Sequence, residues 1–152
     1  MMNKPEVFVD QYRKPIAKLP AAAALVAIAG LADSIYLTVH HYTAEPVPCS
    51  IITGCEQVLT SSYAEMYGIP TAAFGIAAYL TAFVLALFSA FGNRQTWNLF
   101  GAVVVVMAIF TAWLIYLQAV VIEAFCQFCL ISAATTATLL LIFLVSKLVR
   151  SK

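Results

Sequence analysis

Four apolar runs, each long enough to cross a bilayer as a helix, take up most of this chain. A hydrocarbon core needs about 20 helical residues. The runs are roughly Leu19–His41, Thr71–Phe91, Thr96–Val121 and Phe125–Val149. With 63% hydrophobic and 10% charged residues among 152, polar surface is too scarce to cover a water-soluble domain. The expected fold is all-α: a polytopic membrane four-helix bundle forming a single domain, 1–152. It divides into a tail (1–18), a first span (19–41), an outer loop (42–70), and spans at 71–91, 96–121 and 125–149.

Charge orients the spans. All eight basic residues, Lys4, Arg13, Lys14, Lys18, Arg94, Lys147, Arg150 and Lys152, lie in the N-terminal tail, the second-to-third link or the C-terminal tail. Segments 42–70 and 122–124 hold Glu45, Glu56, Glu65 and Glu123 and no Lys or Arg. The positive-inside rule therefore makes both termini cytoplasmic and turns those two segments outward, as in a multi-pass protein of the cytoplasmic membrane. A rival reading takes Lys18, AAAALVAIAG and the GLA before Asp33 as a cleaved signal peptide. The apolar run continues past Asp33 through IYLTV, beyond a usual signal core, which favours a retained span.

All four cysteines then share the outer side, where disulfides persist. The short link 122–124 puts CQFC (Cys126 and Cys129) on the first turn of the last helix. Cα atoms three apart on a helix are about 5 Å apart, inside the window for a disulfide. A helix N-terminus also favours a thiolate and hence a reactive sulfur. A bridge within one turn closes a tiny loop and stabilises little, so this pair suits exchange better than stapling.

The other pair, Cys49 and Cys55, sits in CSIITGC, a loop whose six steps span about 20 Å when extended. It can therefore visit two places. The following EQVLTSSYAEMY puts Val58, Leu59, Tyr63, Met66 and Tyr67 on one helical face, which predicts a short amphipathic helix lying in the interface as a lid. GIP ends it, and Pro70 suits the start of the second span. Two bland alternatives remain open: inert structural disulfides, or a structural zinc on four thiols, although five residues between the first two exceed the usual ligand spacing.

Asp33 is the only acid within a span and should face the bundle interior near Ser34 and Tyr36, with His40 one turn outward. It serves either as a hydrogen-bonded packing residue or in a proton path. His41, Tyr42, Trp97 and Asn98 mark interfaces. Gln118 is suited to an interhelical hydrogen bond.

Taken together, Gly30, Ser34 and Tyr36 in the first span, Cys49, CEQVLTSSYAEMYGIPTAAFG and CQFCL resemble the vitamin K epoxide reductase family in its short bacterial or archaeal form. The likeness covers about residues 25 to 145. It implies a four-helix bundle enclosing a membrane quinone of ubiquinone or menaquinone type near the outer surface, under the lid. CQFC would be the redox centre, with Cys129 against the quinone and Cys126 exchanging with the loop. Cys55 would attack Cys126, and Cys49 would meet the partner, an exported thioredoxin-fold oxidase that the chain reoxidises.

The resemblance further implies quinone contacts at Ser61 or Ser62, Thr71, Phe74 and Ala133, and tight helix packing at Gly75. Eukaryotic members carry Asn where Thr71 aligns and Tyr where Ala133 aligns, which argues against epoxide as the substrate here. The alternatives implied are a naphthoquinone reductase running the same relay, or a non-enzymatic membrane scaffold. Membrane lipid is expected as a partner beside the quinone and the oxidase, nucleic acid is not, and no thioredoxin domain is expected in the same chain.

Overall fold

In the computed structural model the described residues are 4–151 for the backbone, with side chains from Lys18 onward. Met1, Met2, Asn3 and Lys152, the ends of the expected tails, lie outside them, as do the side chains of Lys4, Arg13 and Lys14. The order is α1 (Lys4–Thr43), α2 (Cys55–Leu59), β1 (Glu65–Met66), β2 (Ile69–Pro70), α3 (Thr71–Ala90), α4 (Arg94–Tyr116) with a π-helical extension (Leu117–Ile122), and α5 (Gln127–Ser151). Four of these helices carry stretches long and apolar enough to cross a membrane: Lys18–Thr43, Thr71–Ala90, Arg94–Ile122 and Gln127–Ser151. Backbone groups in lipid must be paired within the chain, and uninterrupted helices do this. The all-α membrane bundle is thus the observed architecture.

The helices form a ring in which α1 packs on α3, α3 on α4, α4 on α5 and α5 on α1. Their outer faces carry exposed Leu25, Val106, Ile109, Leu141 and Leu148, side chains that lipid covers. The chain runs up and down, so α1 ends, α3 begins, α4 ends and α5 begins at one end, the cysteine end. At the opposite, basic end, Asn93 caps α4 by accepting from the N–H of Gln95 at 3.1 Å. There Lys147 Nζ donates to Asn98 Oδ1 at 2.7 Å.

The basic half of the core is closely packed and apolar. Ala23, Ala24, Ala27, Ala82 and Ala86 on α1 and α3 face Trp97, Phe100, Val104 and Leu139 on α4 and α5. Trp97 stacks on Phe100 with ring centroids 4.6 Å apart. Its indole N–H would be a buried unpaired donor, but it donates to Ser146 Oγ at 2.8 Å. Small residues against large ones allow the close approach that membrane helices need.

The lid departs from the expected single helix. Helix α2 stops at Leu59, and a two-strand hairpin follows, pairing Glu65 with Pro70 and Met66 with Ile69. Local side-chain chemistry explains the stop. Thr60 Oγ1 donates back to the carbonyl of Glu56 at 2.6 Å and Ser61 Oγ to that of Val58 at 2.7 Å, so hydroxyls close the helix end. Tyr67 and Gly68 then take φ of 55° and 78°, the twisted turn a tight hairpin requires. Tyr63, Met66 and Tyr67 therefore share no helical face with Val58 and Leu59, although all three are exposed as apolar lid residues.

Candidate functional site

The four cysteines meet at one end of the bundle. Cys49 and Cys55 form a disulfide with Cα atoms 6.3 Å apart, and Cys126 and Cys129 are free thiols. Cys55, Val58, Ala124 and Cys126 share a buried cluster, with Cys49, Cys129 and Phe128 packed against it. Cys55 and Cys126 are almost wholly buried. Gln127 fastens the loop to the helix start twice: its backbone N–H donates to Cys55 Sγ at 3.4 Å, and its Oε1 accepts from the N–H of Ile51 at 3.1 Å. Gly54 makes this approach possible, because a Cβ there would stand 2.7 Å from the carbonyl oxygen of Phe125.

Helix α5 begins at Gln127, two residues later than the expected Phe125. Cys126 is its cap, its carbonyl accepting from the N–H of Leu130 at 3.0 Å, and Cys129 lies on the first turn. Cys126 thus precedes the span. Its thiol is held below the ordinary thiol range by a hydrogen bond from the Cys129 thiol, with smaller help from the backbone N–H groups of Cys129 and Phe128, against the opposing effect of burial. A sulfur so placed is a good leaving group in exchange.

Below the lid the ring of helices opens into a cavity of about 390 Å³. That lies in the range of small-molecule sites. Its walls are mainly apolar, with Phe74, Met107, Phe110 and Leu114 among them, and Cys129 opens into it while Cys126 does not. Of the other residues expected at a ligand, Ser61, Thr71 and Ala133 line it as well. Ser62 does not. It is exposed on an outer groove with His40 and Glu45.

The G-x-x-x-S pattern of α1 also finds its use here. A Cβ on Gly30 would strike the ring of Tyr79, and one on Gly75 would stand 2.6 Å from Ser34 Oγ, so each helix's glycine admits the other's side chain. Tyr79 crosses the bundle, donating to the carbonyl of Ser132 at 2.8 Å and meeting Ser132 Oγ and Thr136 Oγ1 at 2.9 Å.

Several polar groups on the cavity wall are already engaged. Thr71 Oγ1 reaches the carbonyls of Ala64 (2.9 Å) and Tyr63 (3.1 Å), tying α3 to the lid, and Ser61 donates to Val58. Asp33 lines the cavity as its position in the first span implies, yet among the described residues its buried Oδ2 has no hydrogen-bond partner. At the rim, His41 Nε2 lies 3.0 Å from Glu65 Oε1 and links α1 to the hairpin. Tyr79 and Gln118 were not foreseen as cavity residues; a polar side chain inside an apolar span was the only signal for Gln118. The family model described as vitamin K epoxide reductase family matches residues 21–144.

Proposed function

Since the chain belongs to the vitamin K epoxide reductase family, and is therefore a membrane thiol oxidoreductase with quinone-related activity, we propose that it carries electrons from an exported thioredoxin-fold protein to a membrane quinone. The observation that carries this reading is the division of labour within CQFC. Cys126 is buried against the loop disulfide, whereas Cys129 opens into the cavity.

The relay runs in balanced exchanges. A thiolate of the reduced partner attacks Cys49, breaks the Cys49–Cys55 bond and releases the Cys55 thiolate. That thiolate attacks Cys126 of an oxidised CQFC pair and releases Cys129. The second partner thiol then frees Cys49, leaving the partner as a disulfide. Cys49 attacks Cys55, restoring the loop disulfide and releasing Cys126. The arrangement in the structure, a loop disulfide beside a CQFC dithiol, corresponds to the state after this last exchange.

A quinone in the cavity supplies the sink for two electrons and two protons, and CQFC closes to a disulfide. The apolar walls and the Cys129 thiol suit such a ring. Thr71 has its hydroxyl engaged with the lid and Ala133 has none, which favours quinone reduction over epoxide chemistry. The acidic outer segments and basic tails support a cysteine end facing the periplasmic or extracytoplasmic side of the cytoplasmic membrane.

The test is direct. Purified protein, reduced and freed of reductant, is mixed with short-chain ubiquinone or menaquinone analogues. One quinone should be consumed for every two thiols lost. Thiols that persist while quinone remains untouched would instead leave the chain a membrane scaffold.

A further inference from the structure

Gln118 sits where the two halves of the relay meet. It is buried in the π-helical turn that ends α4, and it also lines the cavity. The wide turn leaves its carbonyl to accept from the N–H of Ala124 at 3.1 Å. Glu123, at φ 55°, then reverses the chain. This brings the backbone N–H of Cys126 to Gln118 Oε1 at 3.0 Å. A backbone N–H can only donate, so the amide oxygen must face Cys126 and the amide NH2 is turned away from it. Among the described residues Nε2 has no hydrogen-bond partner. Of the hydroxyls on the wall, Thr71 and Ser61 donate to lid carbonyls and Tyr79 to Ser132.

We propose that Gln118 recognises the quinone, its amide NH2 donating to a carbonyl oxygen of the ring while its Oε1 holds the amide of Cys126. The inference rests on the quinone reading above and adds the residue that sets donor and acceptor in register. A hydrogen bond to a quinone oxygen strengthens as negative charge gathers there, so this donor favours the reduced product as well as binding. Towards Cys126, Gln118 is a positioning residue.

The experiment uses the full chain in lipid nanodiscs, with binding of decylubiquinone to the oxidised protein followed by tryptophan quenching. Turnover and the alkylation rate of Cys126 in the reduced, quinone-free protein are measured alongside. Gln118→Glu keeps an oxygen for the Cys126 N–H but loses the donor while ionised. Its quinone Kd and KM should rise about tenfold, the worth of one hydrogen bond. Its Cys126 alkylation rate should stay near wild type.

Lowering the pH should restore affinity in this variant as the acid regains a proton to donate. The ionisable groups Asp33, His41 and Cys129 share the cavity in wild type as well, so the signature is a pH response beyond the wild-type one. Gln118→Met, of similar length with neither donor nor acceptor, should weaken binding at every pH and also alter Cys126 alkylation. It carries the test if the Glu variant does not accumulate. Quinone affinity within twofold of wild type in the Met variant, or in the Glu variant with no pH response beyond the wild-type one, overturns the proposal. Wild type that neither binds nor reduces quinone overturns the functional reading, and this inference with it.

Discussion

At the basic end of the bundle Trp97 lies flat on Phe100, its N–H satisfied by Ser146, and alanines of α1 and α3 close the space opposite. At the cysteine end the same helices stand apart around a cavity, Asp33 leaves a carboxylate oxygen unpaired, and a left-handed Glu123 ends a π-helical turn. One end gains from dense packing and, among the described residues, from buried polar groups that are all paired. The other forgoes both, and the departures gather around Cys126 and Cys129. Departures from local rules that cluster in one place mark a functional site, and the regular end supplies the stability that holds them.

If the ends divide the work this way, substitutions should separate stability from chemistry. Cys129→Ser should abolish quinone reduction while changing stability by less than about 1 kcal/mol, since volume and packing barely change. Trp97→Ala should do the reverse, costing about 3–5 kcal/mol for the lost ring. Turnover per folded molecule should be retained. Denaturation midpoints and turnover measured on the same preparations check both, and a Trp97 variant that folds normally but turns over slowly would break the comparison.

A smaller effect is expected within the cysteine end itself. Gly54→Val should push the loop away from Phe125 and slow electron transfer from loop to CQFC about tenfold or more, the equivalent of about 1.4 kcal/mol in the barrier. Quinone reduction by chemically reduced CQFC should be unchanged. Stopped-flow mixing with partner dithiol and with a small-molecule reductant distinguishes the two steps.

The smallest and most discriminating change is Asp33→Asn. If the carboxylate only packs, turnover stays near wild type and stability shifts modestly. If it delivers protons, quinone reduction slows while thiol exchange with the partner continues. The unpaired Oδ2 on the cavity wall favours the second outcome, and turnover unchanged across pH would eliminate the proton role.

The spans were legible because hydropathy averages over some 20 residues, and the even placement of cysteines on one side of the charge pattern followed from them. The lid was less legible. Val58, Leu59, Tyr63, Met66 and Tyr67 fit a helical period, but the period is a weak guide over so short a stretch. Hydroxyl caps at Thr60 and Ser61 and the Tyr67–Gly68 turn decided the outcome. The Gly30 and Gly75 positions could be recognised as a packing motif, but not that they accept Tyr79 and Ser34. Gln118 was hidden for a different reason. Its partner is a backbone N–H eight residues on, brought within reach by a π-helical turn that no residue pattern announces.

The central claim is that the loop hands electrons to Cys126 and not to Cys129, and trapping that encounter tests it most directly. In a Cys49→Ser variant, Cys55 can still attack Cys126 of oxidised CQFC, but no neighbouring loop thiol remains to resolve the bond. The account predicts accumulation of a Cys55–Cys126 disulfide, identified by peptide mapping without reduction. Cys129 should be left as a thiolate giving a visible charge-transfer band with added quinone, a band lost in a Cys129→Ser background. A Cys55–Cys129 bridge would contradict the account, as would a Cys126–Cys129 disulfide that survives supply of reduced partner to otherwise wild-type protein.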